Sequence, residues 1–164
     1  MGDLCKEILV KRVMTTTEKI LRAVLIAVTV LCIAAGLMRW PFLLTGIALA
    51  VVCCFLVPGF DLEYEYLYVN GELDIDKIMA KQRRKRCVSY DVANLELAAP
   101  TDSALLGRYQ QQKDIRVRDY TSRMSDTDSW TLVFNSKKGW ELVKLELDDE
   151  IIGDIKRRAP RKVV

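Results

Sequence analysis

The sequence predicts a membrane-type α-helical hairpin followed by a mainly β (α+β) domain, with about seven antiparallel strands and a C-terminal helix. Three observations predict this. Between Ala23 and Phe60 the only charged residue is Arg39. From Asp61 onward the hydrophobic period becomes two, with an Asn70-Gly71 turn signal. The stretch from Asp149 to Arg158 returns to a helical period. With 51% hydrophobic and 29% charged residues, the 164-residue chain keeps its apolar and charged parts apart, as an anchored domain would.

The first apolar run, Ala23 to Met38, is lengthened by Ile20 and Leu21, and a transmembrane segment is expected over 19–38. Arg39-Trp40-Pro41 interrupts it. A second segment, expected over 42–58, closes at Pro58-Gly59. At about 1.5 Å per residue each uncharged run reaches roughly 24 Å, and mild thinning of a core of about 30 Å absorbs the rest. Lys6, Lys11, Arg12, Lys19 and Arg22 precede the first helix, whereas the connecting loop carries only Arg39. The positive-inside rule then predicts a multi-pass cell-membrane protein with both termini in the cytoplasm. Ala23-x-x-x-Ala27 and Gly46-x-x-x-Ala50 offer small faces for packing the pair. Residues 1–18 read as a cytoplasmic segment, and 61–164 as the folded domain.

In that domain Leu62, Tyr64, Tyr66 and Tyr68 alternate with Glu63 and Glu65, which predicts a core-facing tyrosine stripe and an outward acidic face. Asn70-Gly71 turns the chain into a second strand over Glu72–Met79. Further strands are expected at Arg83–Tyr90, Val92–Ala98, Ile115–Tyr120, Trp130–Asn135 and Trp140–Leu147. Ser136-Lys137-Lys138-Gly139 makes a hairpin loop between the last two. Thr101 to Lys113 breaks the alternation and suggests a short helix. Asp148 is placed to cap the final helix, Asp149–Arg158, with Ile151, Ile152 and Ile155 on one face and Lys156-Arg157-Arg158 at the end favoured by the macrodipole.

The composition excludes several chemistries. Without histidine there is no imidazole base, histidine-activated nucleophile or histidine metal site. The five cysteines are scattered and form no C-x-x-C pair. Glycines form no phosphate loop. Neither an enzyme nor a bound cofactor or metal is expected.

Strand order and closing helix together resemble the pleckstrin-homology (PH)-like fold over Asp61 to Val164. The layout, with YEYLYVNGELDIDKI, KQRRKR, VRDYTS and IKRRAPRKV, also resembles a bacterial family of small two-helix membrane proteins with a cytoplasmic PH-like domain of unknown function. That resemblance implies architecture rather than an activity.

One stretch asks for a partner. KQRRKR supplies Lys81, Arg83, Arg84, Lys85 and Arg86. A strand of about 3.3 Å per residue leaves the bilayer at Asp61, and a second returns, so this run should again face the membrane. There the five cations can contact anionic lipid head groups. The rival reading is a solvated strand face whose cations pair with Glu63, Glu65, Asp74 and Asp76. Nucleic acid is not expected, because the run lacks interleaved aromatics and the formal net charge is only +3. The sequence thus predicts a non-enzymatic, membrane-anchored module contacting the inner leaflet or a protein partner. The alternative is an accessory subunit of a larger membrane complex.

Overall fold

The structure, a computed structural model, describes residues 4–111, 115–125, 127–136 and 139–164. Helix α1 spans Thr16–Gly36 and helix α2 spans Trp40–Leu56, continued by a turn of tighter helix through Gly59. Both are long and apolar enough to cross a membrane. α1 begins where the Glu18 carboxylate accepts the Thr15 N–H at 2.9 Å, closing a capping box. Pro41 opens α2, where its missing N–H costs nothing.

The helices meet at two glycines. A Cβ on Gly36 would lie 2.6 Å from the Leu43 backbone, and one on Gly46 would lie 2.8 Å from Ile33 Cγ1. Thr29 Oγ1 and Cys53 Sγ share a hydrogen bond of 3.2 Å between them. Gly46 is therefore a real contact, as its spacing suggested, whereas Ala23 and Ala27 are exposed. Most other large apolar side chains of the pair point outward, away from the protein.

The β domain has two four-stranded sheets. The first, in order β1-β2-β3-β4, is built from Cys5–Lys11, Leu62–Val69, Glu72–Met79 and Arg83–Asp91. The second, in order β5-β7-β8-β6, uses Leu95–Pro100 (β5), Arg116–Asp119 (β6), Trp130–Ser136 (β7) and Gly139–Leu145 (β8). A short helix α3, Gly107–Gln110, lies in the predicted break. Helix α4, Asp149–Arg158, has the predicted bounds. Asn70 and Gly71 adopt φ of 52° and 98°, as the hairpin turn requires. Lys137 and Lys138 of the last hairpin loop lie outside the described residues.

The strands differ from the sequence reading in number and in direction. There are eight strands rather than about seven, and the additional one lies within residues 1–18. β1 pairs with β2 from Cys5↔Val69 to Lys11↔Glu63. Its alternation is masked because Leu9 is apolar on the outward face, and its partner follows only after the hairpin. The strands are also not all antiparallel, since β6 runs parallel to β8. β7 already has β5 on its other side, so the free edge of β8 is what β6 can join.

The core lies between the sheets and under α4. Tyr64, Tyr66 and Tyr68 are buried with Leu73, Ile75, Leu95, Leu132 and Leu145, as the stripe predicted. The acidic face did not stay in water: Glu63 and Glu65 are only 7% and 6% exposed. β1 and β3 flank β2 on both sides, and the Arg84 guanidinium of β4 lies on the Glu65 carboxylate. α4 sets Ile151 and Ile155 into the core, while Ile152 is half-buried at its margin. The chain end bridges β5 through Ala98 and Val163, covering an otherwise open sheet edge.

A buried polar link joins α4 to the sheet. Tyr68 Oη donates to Asp154 Oδ2 at 2.8 Å, and Arg158 Nε donates to the same oxygen at 2.7 Å. Burial alone would raise the Asp154 carboxyl, but hydrogen bonds from Arg158, Tyr68 and Arg157 hold it below the usual aspartate value. A depressed carboxylate stabilises the fold above about pH 4, and that contribution is lost as pH falls through its folded value. Tyr68→Phe is expected to cost about 1–3 kcal/mol in denaturant titrations at neutral pH. An unchanged midpoint would show that the link contributes nothing.

Candidate functional site

The basic run begins in the β3–β4 turn. Ala80 and Lys81 both adopt left-handed φ, at 48° and 57°, where glycine would be the easier residue. Two hydrogen bonds pin the turn: Ala80 N–H to Asp61 O at 2.8 Å, and Gln82 N–H to Met79 O at 3.1 Å. Met79, Ala80, Gln82 and Arg83 share a hollow of about 170 Å³ with Cys54, Phe55, Pro58 and Gly59. The turn therefore rests against the end of α2, where the return of the second strand should bring it.

The period of two then divides the five cations. Arg84 and Arg86 lie on the outer face with the acids. Arg84 Nε reaches Asp76 Oδ2 and its Nη2 reaches Glu65 Oε2, each at 2.6 Å. Arg86 Nη2 lies 2.6 Å from Asp74 Oδ1. Hydrogen bonds from Ser89 and Arg86 hold the Asp74 carboxyl below its ordinary value, against its partial burial. Burial and a shared hydrogen bond with Glu7 push the Glu65 carboxyl up, which Arg84 partly offsets. Arg83 and Lys85 occupy the other face, opposite Met79 and Lys77. Among the described residues Lys81, Arg83 and Lys85 are exposed and form no ion pair. The pairing with Asp74, Asp76 and Glu65 thus involves two of the five, and Glu63 takes no part in it.

A second polar cluster was not read from the sequence. On the seam between the sheets, Tyr90 Oη donates to Glu141 Oε2 at 2.9 Å, and Arg118 Nε lies 3.5 Å from the same oxygen. Tyr90 stacks on Phe134 with ring centroids 4.5 Å apart. Burial raises the Tyr90 hydroxyl far beyond its usual range, so it stays protonated and donates. Partial desolvation also raises the nearby Cys87 thiol, although the residue is exposed. The cluster satisfies a buried carboxylate and joins the two sheets. Its residues stand in unrelated strands, and no local spacing announces them. Among the described residues no group of acids and cysteines has the arrangement of a metal site.

Two four-stranded sheets sharing one core, a C-terminal helix closing over it and a basic turn at the exit of an apolar hairpin define a PH-like domain tethered to two candidate transmembrane helices. The chain belongs to the family described as bacterial PH-like domain (DUF6106), whose model matches residues 2–164. The match takes in β1, both helices and the β domain together. Neither a curated protein nor a solved structure matches the chain.

Proposed function

We propose that the protein is a non-enzymatic, membrane-anchored interaction module whose PH-like domain lies on the anionic inner leaflet. The observation that carries this is the seating of the β3–β4 turn against the end of α2. If α2 spans the bilayer, Lys81 and Arg83 lie at head-group level with no acidic partner among the described residues. Each cation near an anionic surface contributes about 1 kcal/mol of attraction, screened over about 8 Å at physiological salt. Lys85 lies further along the same strand face. Arg84 and Arg86 hold the sheet instead.

Hydrogen exchange of the full chain in nanodiscs tests this. Protection of residues 79–86 should be greater with phosphatidylglycerol than with phosphatidylcholine. It should fall as salt is raised, and be lost when Lys81, Arg83 and Lys85 become glutamine. Equal exchange in both lipids would refute the contact. Arg84→Gln and Arg86→Gln should instead lower thermal stability while leaving lipid-dependent protection in place.

The same reading makes the hairpin a two-pass anchor. β1 precedes the helices and β2 follows them, yet they pair along their length, which supports a hairpin with both ends on one side of the membrane. Charge bias puts that side in the cytoplasm. Reporter fusions at the N-terminus and after Val164 are expected to agree on a cytoplasmic location. Opposite locations would rule out the two-pass anchor.

A further inference from the structure

A cleft of about 530 Å³ opens where α1 leaves the β domain, lined by Lys11, Arg12, Val13, Met14, Lys19, Arg22, Asp61 and Met124. Four of these are cations and one is an acid. Arg12 is engaged by Glu18, and Lys11 Nζ lies a loose 3.9 Å from Asp61 Oδ1. Lys19 and Arg22 have no ion-pair partner among the described residues, so the cleft keeps an excess of positive charge.

Its far wall is apolar and firmly held. Met124, 57% exposed, stands on it beside Val13 and Met14. The loop that carries it is fixed from below: buried Ser122 donates its N–H and Oγ–H to Glu146 Oε1 at 2.7 and 2.6 Å. Ser122 Oγ in turn accepts the Met124 N–H at 3.1 Å. Val13 N–H donates to Ser122 O at 2.8 Å, tying this loop to the linker that enters α1. Arg123 holds φ of 62° beside it, a left-handed conformation that the surrounding bonds maintain.

We infer that this cleft is a binding site for one anionic phospholipid. The phosphate would sit among Lys11, Lys19 and Arg22, with its acyl chains along the exposed apolar residues that continue the same face of α1, Ala23, Ile26 and Val30, and Met124 at the glycerol level. Basic side chains beside apolar surface at a helix entry suit a ligand that is anionic at one end and hydrocarbon at the other. A free phosphate satisfies only the cations; a zwitterionic lipid brings a second positive charge toward them. The site rests on the reading of α1 as a membrane helix, and is separate from the contact at Lys81 and Arg83.

Native mass spectrometry of the full chain in detergent, titrated with phosphatidylglycerol, phosphatidylcholine or inorganic phosphate, tests the assignment. One phosphatidylglycerol should be retained per chain, with much weaker retention of phosphatidylcholine and none of phosphate. Lys19→Gln with Arg22→Gln should weaken retention roughly thirtyfold, the product of two lost cation contacts, with an unchanged circular dichroism spectrum. Lys81→Gln with Arg83→Gln should retain the lipid as wild type does, even if the leaflet contact at that turn proves absent. Equal retention of the two lipids, or by wild type and the Lys19/Arg22 variant, would overturn the site. Retention of phosphate as strong as that of phosphatidylglycerol would make it an anion site and overturn the lipid assignment.

Discussion

Ile155→Asp is expected to unfold the β domain, and Ile151→Asp to do the same. The two side chains are 2% and 0% exposed and pack in the same core as Tyr66, Tyr68 and Leu145. Aspartate there loses about 1.5–3 kcal/mol of apolar burial and adds the cost of a buried carboxylate without a partner. The sum, roughly 4–5 kcal/mol or more, is comparable with the whole stability of many domains. Thermal and denaturant melts of the detergent-solubilised protein should show the transition lowered or absent. Ile152→Asp should be much milder, because that residue is half-buried at the margin of the core. If all three variants melted like wild type, α4 would not belong to the folding core.

The second large effect concerns β1. A shortened chain of residues 61–164 is expected not to fold cooperatively, although the sequence alone marks it as the domain. Without residues 5–11, β2 becomes an edge, its ladder to β1 is lost, and Val10 and Ile8 no longer cover the core. Each lost ladder bond costs about 1 kcal/mol and each buried aliphatic about 1.5–3 kcal/mol, together enough to exhaust a typical stability. Replacing residues 14–60 with a short glycine-rich loop should restore folding. Arg12 N–H already donates to Leu62 O at 3.0 Å, so the joined ends lie one hairpin apart. Near-ultraviolet circular dichroism and a cooperative melt should distinguish the two chains. Identical melts would show that β1 is dispensable.

Features written in local pattern were legible in the sequence. Uninterrupted apolar runs gave both helices, since burying so many apolar residues in succession leaves few other solutions. Asn70-Gly71 announced its turn because few other residue pairs accept positive φ at both positions. Asp148 and the triplet Lys156-Arg157-Arg158 mark the observed ends of α4, although the Asp148 side chain makes no capping hydrogen bond and pairs with Lys6 of β1 instead. The tyrosine stripe named the buried face of β2. None of these needs knowledge of a distant partner.

What remained hidden depends on such partners. Cys5–Lys11 shows no clean alternation, with apolar Leu9 on its exposed face, and its place as a strand is set only when β2 lies beside it. Glu63 and Glu65 read as solvent-facing because alternation tells one face of a strand from the other, yet cannot tell what covers the second face. The basic run was legible as charge, and alternation separates Arg84 and Arg86 from Arg83 and Lys85, but only the β3–β4 register and the bulge beside Ile75 bring Arg84 to Asp76 and Arg86 to Asp74. In the sequence Lys11, Lys19 and Arg22 carry only a topology signal, and nothing near them in the chain points to Met124.

By itself, then, the sequence determined that two apolar helices precede a β domain closed by α4, and that a basic turn returns toward those helices. Tertiary structure decided that β1 completes the first sheet, that two arginines of the run are spent on acids, and that a second cationic cleft forms at the entry of α1. The physical reason is the range of the interactions. Hydrophobic period, turn conformation and helix capping are set within a few residues, whereas sheet partners, ion pairs and clefts arise from contacts between segments far apart in the chain.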